Sequence, residues 1–246
     1  MAAGSTEYPV VWKVLGQDEP VTDLSPTPRT RLTREKERGV SDRAELLALL
    51  REGLIAHIGV TVGDHPVVLP VAYAVDLDGP DQGGTLYVHG SVAAGWLRRS
   101  VTDGQGTTVC VTVTALDGLV LARSAFNHSM NYRCGVVIGP VRLVEDEAER
   151  AHALDLIVEH VVPGRSAELR PNTRKELAAT AVLAVPLHEA SLKTRSGGSV
   201  DDQPDIDAGY WAGHMPLRMV ASDVIPDPET SEPVPDHVVR RVADFQ

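Results

Sequence analysis

Residues 119–139, LVLARSAFNHSMNYRCGVVIG, decide how this chain is read. Two runs with the apolar character of buried strands enclose Arg123, Asn127, His128, Ser129, Asn131, Tyr132 and Arg133. A strand packed on one side alternates apolar and polar residues, and one covered on both sides runs apolar. A polar insert between two such strands needs partners, because each unsatisfied buried polar group costs about 1–3 kcal/mol. A bound anion would satisfy the Arg133 guanidinium, as would a protein carboxylate. The insert is therefore expected to form one wall of a binding site, with Arg133 directed at an anion.

Outward from this stretch the pattern is mainly β. Upstream, SDRAELLALLREG predicts a short amphipathic helix opened by Asp42, with Glu45 three residues on, and closed by Gly53. Residues 54–62, the turn GDHP and residues 67–76 read as an antiparallel hairpin, followed by a strand in TLYVHG. Ser91 is placed to cap a helix through VAAGWLRRSV, and strands are expected at 107–114, 118–124 and 134–144. Residues 147–162 carry Ala151, Leu154, Ile157, Val158 and Val161 at helical spacing, stopped by Pro163 and Gly164. A short helix from about residue 172, the strand AVLAVPL and a polar segment HEASLKTRSGG follow. Short strands joined by tight turns, with a few helices at crossovers, predict a small barrel with flanking helices rather than a βαβ sheet.

Composition excludes several function classes. The 246 residues carry 23 basic and 34 acidic side chains, a net charge of -11, which argues against nucleic acid or an anionic membrane as a partner. The sequence shows no apolar run of membrane-spanning length and no signal-peptide pattern at its start, so a cytoplasmic location is expected. Cys110 and Cys134 lie in strand-like runs without metal-ligand spacing and read as reduced core thiols. Residues 1–40, rich in Pro, Thr, Arg and Glu, form an extended leader expected to wrap loosely. Residues 41–220 form the main domain, and 221–246 a proline- and acid-rich tail.

The motifs of dinucleotide folds, phosphate-binding loops, nucleophile elbows and zinc proteases are missing. Nine histidines give no pair with the spacing of a zinc site, and no metal is expected. Four segments instead end strands with groups suited to an anion or a heteroaromatic ring. In VLPVAYAV, Pro70 removes a ladder donor, a choice confined to edges and bulges. In LYVHGSVAAGW, Ser91 opens a helix. The third segment is Ser129–Arg133 itself, and in the fourth, SLKTRSGG, Lys193 and Arg195 share one side of an extended chain.

The ordered set PVVLPVAY, LYVHGS, VCVTVTALDGLVLARS, HSMNYR and WAG resembles the pyridoxamine 5'-phosphate oxidase-like flavin-binding split-barrel proteins, especially their nitroimidazole-resistance branch. The resemblance covers roughly residues 25–220. It implies a six-stranded antiparallel split β-barrel, a homodimer, and FMN at the subunit interface. It places Leu69, Pro70, Val71, Ala72 and Tyr73 along the flavin ring, and Val88, His89 and Ser91 near the ring, ribityl chain or phosphate. Trp96 and Arg98 belong to the segment that follows. Ser129, Tyr132, Arg133 and Cys134 enter from the central strand, with Lys193, Arg195 and Trp211 from the C-terminal third. The implied activity is that of an FMN-dependent oxidoreductase, nitroreductase-like or acting in specialised metabolism. Its substrate would be a small organic molecule, with a nicotinamide as electron donor. His89, His128 or Tyr132 would supply a proton, histidine being better matched to neutral pH. Two other readings stay open: use of the deazaflavin F420, and non-catalytic flavin or haem binding in which His89 or His128 ligates iron. The sequence lacks the helix lysine of true pyridoxamine phosphate oxidases, so that substrate is not expected.

Overall fold

The structure, a computed structural model, describes residues 23–24, 27–97 and 107–246. The first helix, α1 (Arg43–Glu52), forms where expected: the Asp42 carboxylate accepts from the Ala44 amide, and Leu46, Leu49 and Leu50 form its buried face. Strand β2 (Ala56–Val62) alternates buried and exposed residues and turns at Gly63, whose φ of 64° suits glycine, into β3 (His65–Val71). Strand β3 is the edge of its sheet, and this position tolerates both Pro66 and Pro70. The chain then leaves that sheet at Ala72. The strand expected over 67–76 is thus two: β4 (Tyr73–Asp76) pairs instead with β5 (Thr85–Ser91) in a second sheet.

Strand β6 (Thr108–Leu121) is one long strand rather than the two expected, interrupted by a bulge at Asp117. It pairs antiparallel with β7 (Ser129–Pro140), so most of the polar insert is ladder and only the tip through residues 122–128 is loop. β8 (Arg142–Leu143), α2 (Glu147–Val161), α3 (Arg174–Ala179), β9 (Thr180–Pro186) and β10 (Ala190–Arg195) follow. Thr173 and Glu176 close a reciprocal capping box on α3.

Two antiparallel sheets result. The larger runs from β1 (Gly39–Val40) through β10, β7, β6 and β2 to β3, with β11 (Gly213–Pro216) against the far end of β6; the smaller runs β4, β5, β9, β8. They are not closed on one another, and the split-barrel arrangement expected from the sequence is borne out. The expected count of six is exceeded because of the division at Ala72, the polar segment that becomes β10, and short edge strands.

Ile58, Val60, Val111, Val113 and Val137 of the larger sheet meet Leu86, Val88, Leu183 and Val185 of the smaller, with the α1 leucines at one end. The reverse face of the smaller sheet, Tyr87, Val182 and Ala184, is covered by Ala153 and Ile157 of α2. Strands β5 and β9 are covered on both faces, so they read as continuous apolar runs. No helix among the described residues is long and apolar enough to cross a membrane.

The leader is better anchored than its composition suggests. Leu24 is buried, Thr27 and Arg29 both donate to the Glu189 carboxylate, and Gly39–Val40 adds an edge strand to β10. The tail carries α5 (Asp236–Ala243), which follows the short α4 (Gln203–Asp207) and docks through buried His237 and through Arg241, whose Nε donates to the Val161 carbonyl at 2.9 Å.

Candidate functional site

Three regions concern the expected site residues. The first surrounds Arg133. The bulge in β6 turns the Asp117 carboxylate to accept from Arg133 Nε and Nη2 at 3.0 and 2.8 Å, while Glu52 at the end of α1 accepts from Nη1 and Nη2 at 2.5 and 2.8 Å. Both carboxylates hold the Arg133 pKa well above its ordinary value, and the Arg133 hydrogen bonds push the Glu52 pKa down. Four of the five Arg133 N–H donors are thus committed to two carboxylates of the chain, and its expected role as an anion receptor is corrected to that of an ion-pair centre joining α1 to the β6 bulge.

The C-terminal pair is corrected likewise. Lys193 Nζ donates to the Arg34 carbonyl, so it holds the leader. Arg195 is buried and donates to Asn131 Oδ1 at 2.5 Å and to the Gly198 carbonyl at 2.9 Å, while Asn131 Nδ2 donates to the Gly197 carbonyl. These bonds shape the turn after β10 rather than a cationic edge. Cys134 is half-buried and accepts from Thr114 Oγ1 at 3.4 Å; Tyr132 is half-buried opposite Leu116, and Ser129 opposite Val120.

The second region is the crossover from β3 to β5. Leu69 and Val71 are half-buried and pack against the main core; Pro70 is exposed, and Ala72 is half-buried beside the smaller core. The role expected of Tyr73 is through its main chain. Its side chain is fully buried, and its hydroxyl donates to the Leu50 and Gly53 carbonyls at 2.7 and 2.9 Å, so only its main chain remains for a ligand. Val88 is also fully buried, which corrects its side chain from site wall to core. Trp96 packs against the core, and Arg98 lies outside the described residues.

His89 is half-buried at the end of β5, and its buried Nδ1 has no hydrogen-bond partner among the described residues. Burial lowers its pKa, favouring the neutral imidazole. Ser91 is exposed, and its Oγ accepts from the Ala93 amide at 3.2 Å, holding a turn before helical residues 95–97. Beside this turn lies a cavity of about 370 Å³, lined by Val92, Leu97, Leu143, Thr180, Ala181 and Arg150. The buried Arg150 Nε has no partner among the described residues, and nothing in the helical spacing around it marks this arginine out.

The third region is the β6–β7 tip. His128 accepts nothing at Nδ1; this nitrogen donates to the Ser124 carbonyl at 2.8 Å, leaving Nε2 as the imidazole's acceptor. At the same end, Arg123 pairs at 2.9 Å with Asp201, whose side chain is fully buried. Around the tip, Phe126 is 94% exposed, Met130 52% and Trp211 74%, so Trp211 is a surface residue. The three regions do not converge on one closed pocket within the described residues of a single chain.

Comparison with known proteins follows this geometry. A family model described as pyridoxamine 5'-phosphate oxidase matches residues 42–194. The structure is similar to that of the flavocytochrome Anf3 from Azotobacter vinelandii, at 33% identity and a TM-score of 0.78, covering 90% of this chain and 98% of that one. It is also similar to an FAD and heme binding protein from Mycobacterium smegmatis, at 36% identity and a TM-score of 0.74, covering 83% of this chain and 97% of that one. No curated protein matches the chain.

Proposed function

The chain belongs to the pyridoxamine 5'-phosphate oxidase family, and from that membership we propose that it is a flavin- and haem-binding redox protein acting as a homodimer. The observation that carries this reading is likeness over nearly the full length of a flavocytochrome and of an FAD and heme binding protein, each above 30% identity. It draws together two alternatives that the sequence leaves separate, a flavin oxidoreductase and a haem-binding split barrel.

The residues present fit a flavin at the β3–β5 crossover. The main chain of Leu69, Pro70, Val71, Ala72 and Tyr73 leaves one sheet for the other, so its amides are not all committed to a ladder. His89 Nδ1 is a buried polar atom lacking a partner among the described residues, an arrangement that a ligand group would satisfy. The exposed Ser91 hydroxyl keeps its own proton to donate to a phosphate. FMN, expected from the sequence, and FAD share the isoalloxazine, ribityl and first phosphate that these groups would meet.

When bound, a flavin supplies hydride and single-electron chemistry. The protein holds and orients it, and neutral His89 is available as a proton acceptor at Nδ1. The expected substrate remains a small organic molecule or acceptor, with a nicotinamide as donor. Dimerisation is supported by the outer face of the larger sheet, where Val68 of β3, Leu116 of β6 and Tyr132, Val136 and Ile138 of β7 are exposed or half-exposed.

The test is an absorbance spectrum of the purified protein, followed by release and mass measurement of its cofactors. Flavin bands together with a Soret band are expected, and the released mass separates FMN from FAD. Protein that copurifies with neither, and takes up neither on reconstitution, overturns the reading.

A further inference from the structure

The cavity beside the turn that follows Ser91 has a composition of its own. Its volume, about 370 Å³, lies within the range of small-molecule sites. Val92, Leu97, Leu143, Val144 and Ala181 make most of its wall apolar. Arg150 of α2, Glu145 just before that helix and Thr180 at the start of β9 supply its polar groups.

The walls are fixed by main-chain bonds. The Val92 amide donates to the Ala179 carbonyl at 3.0 Å, and the Val144 amide to the Val182 carbonyl at 2.9 Å. Asp146 caps α2 by accepting from the Glu149 amide at 2.8 Å, and the Arg150 amide donates to the Asp146 carbonyl at 3.0 Å. Leu97, Val144 and Ala181 are buried, so part of the wall belongs to the core.

Arg150 is left incomplete by this arrangement. Its side chain is only 23% exposed, and its Nε is buried without a hydrogen-bond partner among the described residues. Its ion pair with Glu147 reaches 4.0 Å from Nη2 to a carboxylate that is 93% exposed, too long and too solvated to satisfy a donor. A buried N–H left open is unfavourable, and native proteins close nearly all of them with a protein group, a water or a ligand. Elsewhere in this chain Arg133, Arg142 and Arg195 each donate to carboxylates or carbonyls. Thr180 Oγ1 donates to the Glu176 carbonyl at 2.9 Å, so Arg150 holds the uncommitted side-chain donor among the described residues that line the cavity.

A guanidinium edge, Nε–H beside Nη–H, matches the two oxygens of a carboxylate. The apolar wall suits a hydrocarbon or aryl body. Glu145 repels excess negative charge, which favours a singly charged carboxylate over a doubly charged phosphate.

We propose that this cavity binds a small apolar monocarboxylic acid, its carboxylate on Arg150 Nε and its body against Leu97, Leu143 and Ala181. The site goes beyond the flavin-and-haem reading and does not depend on it. It adjoins the Ser91 turn through Val92 without using the groups assigned to the flavin.

The experiment is calorimetric titration of the full-length protein, with and without excess FMN, using octanoate, its neutral counterpart octanamide, and octyl phosphate. Wild type is compared with Arg150→Met, which keeps an apolar stem, and Leu143→Trp, which fills the cavity from its exposed rim. Far-UV circular dichroism checks that both variants fold. Wild type should bind a single octanoate per chain, octanamide about 10- to 100-fold more weakly, and octyl phosphate more weakly than octanoate. Arg150→Met should lose the preference for octanoate over octanamide, and Leu143→Trp should show no saturable binding. Octanamide is compared on wild type, so the charge assignment is tested even where a variant fails to fold. No saturable octanoate binding to wild type, equal affinity for octanamide, tighter binding of octyl phosphate, or undiminished octanoate affinity in Arg150→Met overturns the proposal. Competition between octanoate and FMN also overturns it, by placing Arg150 in the flavin site. Protein that binds octanoate but takes up no flavin leaves this site standing and overturns the flavin reading instead.

Discussion

The rings of Tyr73 and His160 lie 4.7 Å apart, and both side chains donate to the same acceptor, the Gly53 carbonyl. Gly53 follows the last residue of α1, Tyr73 opens β4, and His160 stands in the last turn of α2. One carbonyl therefore joins the end of a helix to the first residue of the second sheet and to the helix covering that sheet. The carbonyls at the helix end gain the donor partners that their own ladder cannot supply. The crossover expected to carry the flavin contacts is thereby anchored.

Tyr73→Phe keeps the ring and removes the bonds to Leu50 and Gly53. A stability loss of about 1–2 kcal/mol is expected, read from urea denaturation. Flavin stoichiometry should be unchanged, since the hydroxyl points into the protein. Loss of flavin with unaltered stability would show that the hydroxyl serves the ligand instead.

Burial lowers the His160 pKa below its ordinary 6.5, an effect only partly offset by the bond to Gly53. A histidine whose folded pKa is depressed stabilises fully above the unfolded value, and stability falls as pH drops from about 6.5 through the folded value. His160→Gln retains a donor without titrating. The wild type's stability advantage over this variant should therefore shrink between about pH 7 and pH 5, measured by urea midpoints. An advantage that grows on acidification would contradict the sign.

Arg133→Met should destabilise the protein while leaving flavin bound, because Glu52 and Asp117 already occupy the guanidinium. Both carboxylates are partly solvated, so each pair is worth about 0.5–1 kcal/mol. The Glu52 contribution is present above its ordinary pKa of 4.5 and is lost as pH falls through the lowered folded value. Glu52→Gln should accordingly cost stability at neutral pH and nothing in acid. Flavin loss from a stably folded Arg133→Met protein would restore the anion role.

Val68 is 64% exposed on the edge strand, and Leu116 stands on the same outer face. Val68→Asp with Leu116→Asp leaves the core intact and places two charges in the proposed dimer interface. Light scattering should read half the wild-type mass. A dimer that survives both changes would place the interface elsewhere.

Much of the architecture is legible in the chain. α1 announces itself through its Asp42 cap, α2 through helical apolar spacing and the Pro163–Gly164 stop, and β5 and β9 through their apolar runs. Pro70 marks an edge or a bulge before any pairing is known. The bulge at Asp117 is not legible, because one extra residue in a long ladder leaves no local periodicity to read. Nor is the docking of α5, whose buried residue His237 looks like any other residue of a polar tail.

The sequence by itself determined most of the core strands, the helices α1 and α2, and the family to which the ordered motifs point. Those properties are periodic and local, written in the spacing of neighbouring residues. Only the tertiary structure decided where the long polar side chains go. Arg133 finds Glu52 across 81 positions, and Arg195 finds Asn131 across 64. His128, expected only as a possible proton donor or iron ligand, has one nitrogen tied to Ser124 and the other left available. The physical reason is that a guanidinium or imidazole will accept many partners at similar energy, so its choice depends on which groups the fold brings within about 3 Å.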